Sequence, residues 1–373
     1  MTLTLHPAKL QGEIAAMPSK SDLHRLMIAA WLAGQDITTL PIISDDIAAT
    51  RDCLLAGNGV LNCRESGSTL RFLLPVMAAI GGTFTFTGEG RLPERPLEPL
   101  LTLLRQHGIT ITSETLPLTI SGQLQPGTFT LPGNISSQYI TGLLFALPLL
   151  PGDSEIVLTS PLESAGYVDM TVRTLEKFGV FVEPSQIGWF IPSTQRYKPA
   201  TSFAPEGDWS NAAFWLAAGV NIVELDKNSA QPDREIMQLL SSCDPMNAAR
   251  CPDLVPIMAI YAAVHCPHYE IRNAARLRIK ESDRLAAMLT NLELLGADVA
   301  PLGDDGMTIR GAKPLPGGAT INSFGDHRIA MAMAIAALHC QQPITLTNAE
   351  VVAKSYPDFW ADYKRLGGIA HGL

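Results

Sequence analysis

What most constrains this chain is that it repeats itself. The segments TFTFTGEGRLPERPLEPLLTLLRQHGITITSE from Thr83, SEIVLTSPLESAGYVDMTVRTLEKFGVFVEP from Ser154 and YEIRNAARLRIKESDRLAAMLTNLELLGADVAP from Tyr269 align with one another. Each reads as a β-rich run, a loop, a helix with apolar residues at helical spacing, and a closing glycine, Gly108, Gly179 or Gly296, followed by another strand. A helix ends with least strain on a left-handed residue without a Cβ, so these glycines are expected C-caps. Weaker copies begin near Asp36, Asn221 and Pro343. Between the copies stands a second helix type, rich in Ala, Leu and Met nearly all round, which is the pattern of a buried helix. Six such helices begin near Ser21, Ser68, Ser137, Ser210, Asp253 and Asp326, so the chain is expected to hold six units.

The spacing of those starts carries further information. It is 47 residues from Ser21 to Ser68, 69 to Ser137, 73 to Ser210, 43 to Asp253 and 73 to Asp326. Units one and four are therefore short, and the strand pair after the outer helix is what they are expected to lack. The last unit is expected to stop after its outer helix, with the N-terminal TLTLHPAKLQGEIAA supplying the missing strands. The predicted architecture is α/β, with two similar domains of three βαβαββ-type repeats each around buried helices. Residues 15–205 form the first domain, and residues 1–14 with 206–373 form the second. The chain crosses between them near 17–19 and 206–208, a two-strand hinge.

At 373 residues and 46% hydrophobic content the chain is long enough for two cores. No apolar run reaches the roughly 18 residues of a membrane span, and the start MTLTLHPAKLQGE has no signal-peptide pattern, so a cytoplasmic protein without membrane contact is expected. The six cysteines form no Cys-x-x-Cys pair and are expected to be free thiols. A formal charge of -9 argues against nucleic acid, whose phosphates need an extended basic face. It leaves room for a small anion, provided that Lys and Arg gather in one cleft.

The cations are in fact clustered in strand-to-helix loops. Lys20, Ser21 and Arg25 open a buried helix in SKSDLHR, where free N–H groups favour an anion, although a plain Ser cap with solvated charges fits equally. RLPERP carries Arg91 and Arg95, and RLRIKESDR packs Arg276, Arg278, Lys280, Glu281, Asp283 and Arg284 into nine residues. Lys280 and Arg284 form a like-charge i,i+4 pair, a cost that points to a ligand. GDHR adds Arg328 and AKSYPD adds Lys354, while SSQY and the Asp253 turn, taken alone, read as caps. No metal, nucleotide or dinucleotide motif is present, so no metal and no cofactor are expected.

The ordered set SKSDLHR, SDD, ESGSTLRFLLP, RLPERP, SSQY, SAGY, PD, RIKESDR, GDHR and AKSYPD resembles the 5-enolpyruvylshikimate-3-phosphate synthase family over essentially the whole chain. The resemblance implies the enolpyruvyl transferase fold and transfer of the enolpyruvyl group of phosphoenolpyruvate to the 5-hydroxyl of shikimate 3-phosphate, through a tetrahedral intermediate that loses phosphate. It matches Lys20, Ser21, Arg25, Ser136, Ser137, Gln138, Ser164, Tyr167, Asp253 and Lys280 to positions that hold shikimate 3-phosphate. It matches Lys20, Gly67, Arg95, Gln138, Glu281, Arg284, Arg328 and Lys354 to positions that hold phosphoenolpyruvate. Glu281 is the implied proton donor, Asp253 the group handling the hydroxyl proton, and Lys20 the aid to phosphate departure. Glyphosate is an implied inhibitor, and a monomer is expected. Glu65 and Arg276 depart from the family pattern, each standing where Asn is usual. The competing readings are a UDP-N-acetylglucosamine enolpyruvyl transferase, whose reactive Cys has no counterpart in RLPERP, and a noncatalytic relative disabled by the shortening.

Overall fold

The computed structural model describes residues 1–57, 59–201, 203–311 and 313–372. The chain divides into two compact units, one of Met1–Ser19 with Glu206–Leu373 and the other of Lys20–Pro205. Each has its own apolar core. The chain opens with β1 (Thr2–His6) and β2 (Glu13–Ala15), which belong with the Glu206 side. The boundary falls at Ser19 instead of residue 15. β2 lies parallel to the strand Asn221–Val223, and the Ser19 N–H donates to the Glu206 carbonyl at 2.7 Å, so residues 15–19 are tied there.

In the Lys20–Pro205 unit the first repeat consists of α1 (Lys20–Leu32) and α2 (Asp45–Leu55). The second runs β3 (Gly59–Asn62), α3 (Gly67–Ile80), β4 (Gly82–Thr87), α4 (Leu100–Gln106), β5 (Ile109–Ile111) and β6 (Leu118–Gly122). The third runs β7 (Thr128–Leu131), α5 (Ser137–Ala146), β8 (Ser154–Leu158), α6 (Ala165–Lys177), β9 (Glu183–Ser185) and β10 (Gly188–Ile191). Their sheets have one order, β3-β4-β6-β5 and β7-β8-β10-β9, with the first two strands parallel and the rest antiparallel. The inner helices α1, α3 and α5 are the buried ones. Pro75 inside α3 has no N–H for the Arg71 carbonyl, and that carbonyl faces Gly142 of α5, where a Cβ would run into it. The bare backbone at Gly142 is thus what lets α3 and α5 approach.

In the other unit the fourth repeat holds α7 (Trp209–Ala217), β11 (Asn221–Val223) beside β2, and the single turn α8 (Ile236–Leu239). The fifth runs β12 (Met246–Asn247), α9 (Val255–His265), β13 (Tyr269–Arg272), α10 (Arg284–Leu294), β14 (Asp298–Pro301) and β15 (Met307–Arg310). The short pair β16 (Leu315–Gly317) and β18 (Cys340–Gln342) flanks β17 (Thr320–Asn322) and α11 (His327–Ala337); β19 (Ile344–Thr347), α12 (Phe359–Arg365) and β20 (Ile369–His371) complete the sixth. Its sheet is ordered β17-β19-β1-β20, against β12-β13-β15-β14 in the fifth, so β1 takes the place that β15 holds there.

Three expectations need correction. The last repeat does not stop at its outer helix: β20 follows, and the N-terminus contributes only β1, while β2 joins the fourth repeat. The first repeat lacks more than an outer pair, since among the described residues no strand forms between α1 and α2 either. Gly34 at φ +72°, the Asp36 side chain accepting from the Thr38 N–H, and Pro41 turn that segment away from extended pairing. Finally, Cys243 and Cys266 form a disulfide, while Cys53, Cys63, Cys251 and Cys340 are buried thiols. The partners are 23 residues apart with no motif between them, and only the return of the chain from α8 to the end of α9 brings them together. Among the described residues no helix is long and apolar enough to cross a membrane.

Candidate active site

In the Lys20–Pro205 unit the expected residues stand at helix starts, where unpaired N–H groups and aligned peptide dipoles favour negative charge. Lys20 is the first residue of α1, and its Nζ lies 2.9 Å from Asp46 Oδ2 at the start of α2. Arg25, one turn on, is buried: Nη1 donates to the Ser21 carbonyl at 2.6 Å, Nε to Thr171 Oγ1 at 2.9 Å and Nη2 to the Tyr167 carbonyl at 2.7 Å. Burial lowers its pKa to about 10, against Asp22 and Tyr167, so it is a cation at neutral pH. Ser136 caps α5, its Oγ accepting from the Gln138 N–H, and Ser137 is the first helical residue. Gln138 reaches α3, donating to Ser68 Oγ at 3.0 Å and accepting from Arg71 Nη1 at 3.3 Å. Ser164 is buried in left-handed backbone (φ +56°) just before α6, three residues ahead of Tyr167.

Gly67 opens α3 behind the cap Ser66. A Cβ at Gly67 would lie 2.6 Å from Arg71 Nη1 and 2.6 Å from Arg95 Nη1, so two guanidinium groups flank this glycine. Arg71 is a residue that the sequence reading passed over. It is buried, donates to the Pro96 carbonyl at 3.0 Å and lies over the Tyr139 ring. The signal was present, a lone charge inside the apolar run TLRFLLP.

The Glu206 side carries a second cluster. Arg284, at the start of α10 and 1% exposed, reaches three carboxylates: Asp326 at 2.6 Å, Asp253 at 2.7 Å and Glu281 at 2.9 Å. Asp253, in the 3-10 turn before α9, also meets Arg328 Nη2 at 2.8 Å and Lys280 Nζ at 3.7 Å. Asp326 caps α11 by accepting from the Arg328 N–H, so the cap and the charge hub are one residue. Burial pushes the Asp253 carboxyl up, but Arg328, Lys280 and Arg284 together outweigh it and hold Asp253 well below the usual carboxylate range. Lys280 is brought down to about 8 by burial, with Asp253 opposing and Arg284 and Arg276 adding to the shift. Lys354, nearly buried, ends the 3-10 turn after β19.

Lys280 and Arg284 are not the uncompensated like-charge helix pair that their spacing predicts. Lys280 precedes α10 in extended backbone, so the two are not neighbours on a helix face, and Asp253 compensates both. Of the two departures from the family pattern, Glu65 is exposed and packs over Gly90, while Arg276 is half-buried beside Lys280.

The family model for EPSP synthase (3-phosphoshikimate 1-carboxyvinyltransferase) matches residues 54–242 and 223–363. A 3-phosphoshikimate 1-carboxyvinyltransferase of Clostridium acetobutylicum is 41% identical over 420 aligned positions, covering 98% of this chain and 97% of that protein. The chain belongs to the EPSP synthase family. A Clostridium novyi protein of the same name is 39% identical, with 97% of each chain covered. These alignments are longer than the 373 residues of the chain, so its relatives carry segments that it lacks, in keeping with two short repeats. An EPSP synthase structure from Acinetobacter baumannii superposes with a TM-score of 0.80 at 23% identity, covering 99% of both chains. The enolpyruvyl transferase NikO from Streptomyces tendae gives 0.74 at 18%, covering 99% and 98%. These two likenesses establish the enolpyruvyl transferase fold.

Proposed function

We propose that the chain transfers the enolpyruvyl group of phosphoenolpyruvate to the 5-hydroxyl of shikimate 3-phosphate and releases phosphate, as its family membership suggests. The observation that carries the reading is the gathering of Arg284, Arg328 and Lys280 on Asp253, with Glu281 on the same Arg284. A small dianionic or trianionic substrate needs such a set, and two guanidinium forks suit its carboxylate and phosphate. Lys20, Ser21, Arg25, Ser136, Ser137, Gln138, Ser164, Tyr167, Asp253 and Lys280 are assigned to shikimate 3-phosphate. Lys20, Gly67, Arg95, Gln138, Glu281, Arg284, Arg328 and Lys354 are assigned to phosphoenolpyruvate.

In the addition step the acceptor oxygen bonds to C2 of phosphoenolpyruvate, its proton passes to Asp253, and C3 takes a proton from Glu281. In the elimination step C3 returns a proton to Glu281, the double bond reforms, and the C2–O bond to phosphate breaks with Lys20 beside the leaving oxygen, the phosphate departing with the proton that Asp253 took from the hydroxyl. Asp253 enters the cycle ionised, as a proton acceptor must, because three cations hold it so. Glyphosate, a small anion that also carries a carboxylate, is assigned to the phosphoenolpyruvate groups, and a cytoplasmic monomer is the working state.

The test is phosphate release from phosphoenolpyruvate with shikimate 3-phosphate or with UDP-N-acetylglucosamine as acceptor. Release with the first alone is expected. Release with the second alone would transfer the chain to the rival acceptor, and release with neither would make it a noncatalytic relative. Glu281→Gln keeps the shape and removes the proton, so turnover falls about 10²- to 10⁴-fold while calorimetric binding of shikimate 3-phosphate is kept; unchanged turnover would remove Glu281 as the acid.

A further inference from the structure

Beneath the helix starts of the Lys20–Pro205 unit runs a line of short buried hydrogen bonds that the reaction above does not use. His24 of α1 places Nδ1 2.8 Å from Thr50 Oγ1 of α2, Thr50 lies 2.7 Å from Thr69 Oγ1 of α3, and Thr69 donates to Ser66 Oγ at 2.7 Å. Ser66 is the cap that also takes the Thr69 N–H, and the residue after it is Gly67. At the other end, Lys20 stands one turn before His24 and is paired to Asp46, whose carbonyl oxygen lies 3.4 Å from the Thr50 and Thr69 hydroxyls, further than their 2.7 Å partners in the line. All four members of the line are buried.

We infer that His24, as its neutral Nδ1–H tautomer, is a positioning residue that locks the Gly67 end of α3 to the Lys20 end of α1 through Thr50, Thr69 and Ser66. The polarity follows from counting protons. His24 Nε2 is buried with no hydrogen-bond partner among the described residues, and a bare lone pair there costs less than an orphaned N–H. Nδ1 therefore carries the proton and donates to Thr50, Thr50 donates onward to Thr69, and Thr69 to Ser66, which leaves the Ser66 lone pairs for the helix cap. Every link points one way, and such lines are cooperative. The ring stays uncharged because burial lowers its pKa to about 3, with Asp46 opposing and Lys20 and Arg25 reinforcing the shift. His24 touches neither substrate in this assignment. It sets the separation of two groups that do.

The inference rests on Gly67 and Lys20 bordering phosphoenolpyruvate, and its test starts from wild-type enzyme shown to release phosphate, so failure of that reading would be seen first. His24→Leu removes the donor and is expected to raise the phosphoenolpyruvate KM about tenfold, with the shikimate 3-phosphate KM within about twofold. His24→Asn carries a donor at the Nδ1 position and restores the wild-type KM, whereas His24→Gln, with its donor one atom further out, does not. Equal behaviour of Leu and Asn, or both KM values rising together with a lowered Tm, would overturn the inference. Nitrogen NMR of the wild type provides a readout independent of any variant. A δ-protonated ring that does not titrate between pH 5 and 8 is expected; an ε-protonated or titrating ring would overturn it.

Discussion

Gly67→Ala separates binding from folding in a single substitution. The added Cβ would meet Arg71 Nη1 and Arg95 Nη1 at 2.6 Å each, while ordinary contact begins at 3.4 Å, so each guanidinium must withdraw by about 0.8 Å. Both obstacles are the far ends of long side chains, so the backbone need not move. Gly67 is helical and not in left-handed backbone, hence Ala fits its dihedral angles and stabilises α3 by up to about 1 kcal/mol. Arg95 is assigned to phosphoenolpyruvate, and misplacing a substrate-orienting group by nearly 1 Å costs up to about 10²-fold. The expected outcome is a phosphoenolpyruvate KM raised about 10- to 100-fold, a shikimate 3-phosphate KM within about threefold, and a Tm unchanged or slightly higher. Glyphosate affinity should fall with that of phosphoenolpyruvate. Steady-state phosphate release with each substrate varied in turn, alongside a thermal melt, measures all of these. Equal losses for both substrates, or a falling Tm, would mean that Gly67 serves the turn and that the pocket argument is wrong.

The depressed Lys280 ammonium gives a pH dependence of known sign. With its pKa near 8 in the free protein, Lys280 loses its charge as pH rises through 8, and affinity for shikimate 3-phosphate should drop about tenfold between pH 7 and 9. Lys280→Met should bind more weakly at pH 7 and show a flat profile, and calorimetry giving parallel profiles for the two proteins would refute the assignment. The disulfide between Cys243 and Cys266 encloses Asp253 and all of α9. Chain-entropy reasoning for a loop of this length gives about 3 kcal/mol, so Cys243→Ala should lower the unfolding midpoint by several degrees. Thiol titration of unfolded, unreduced protein should find four thiols of the six cysteines, and six would dispose of the bond.

Much of the architecture was legible because it is written locally. Gly108, Gly179 and Gly296 all sit at positive φ just after their helices, as the repeat alignment required. The inner-helix starts fell within a few residues of Ser68, Ser137, Ser210 and Asp326, since a cap and an apolar run leave a sequence signature. What stayed hidden depends on partners far away in the chain. Asp253 looked like a cap; its three cations come from residues 280, 284 and 328, and no window of sequence spans them. The like-charge pair misled for the same reason, because the compensating carboxylate is tertiary. Arg71 was passed over because a lone charge in an apolar run does not name its neighbours Gly67 and Gln138, and the Cys243–Cys266 bond has no spacing rule to betray it.

The place of β1 in the sixth sheet governs how the protein is made. Thr2 lies opposite Thr347, and Thr4 opposite His371, so β1 pairs with strands synthesised some 340 residues or more after it. At about 5 to 20 residues per second that wait is roughly 20 to 70 s. The Lys20–Pro205 unit is continuous in sequence and holds all the strands of its own sheets, so it can close while β1 is still waiting. An unpaired β-strand is a template for pairing with other chains. The interval in which β1 has neither neighbour is therefore when a nascent chain is most exposed to mispairing, and the alternating polar threonines of TLTLH make that strand less sticky than an all-apolar one would be.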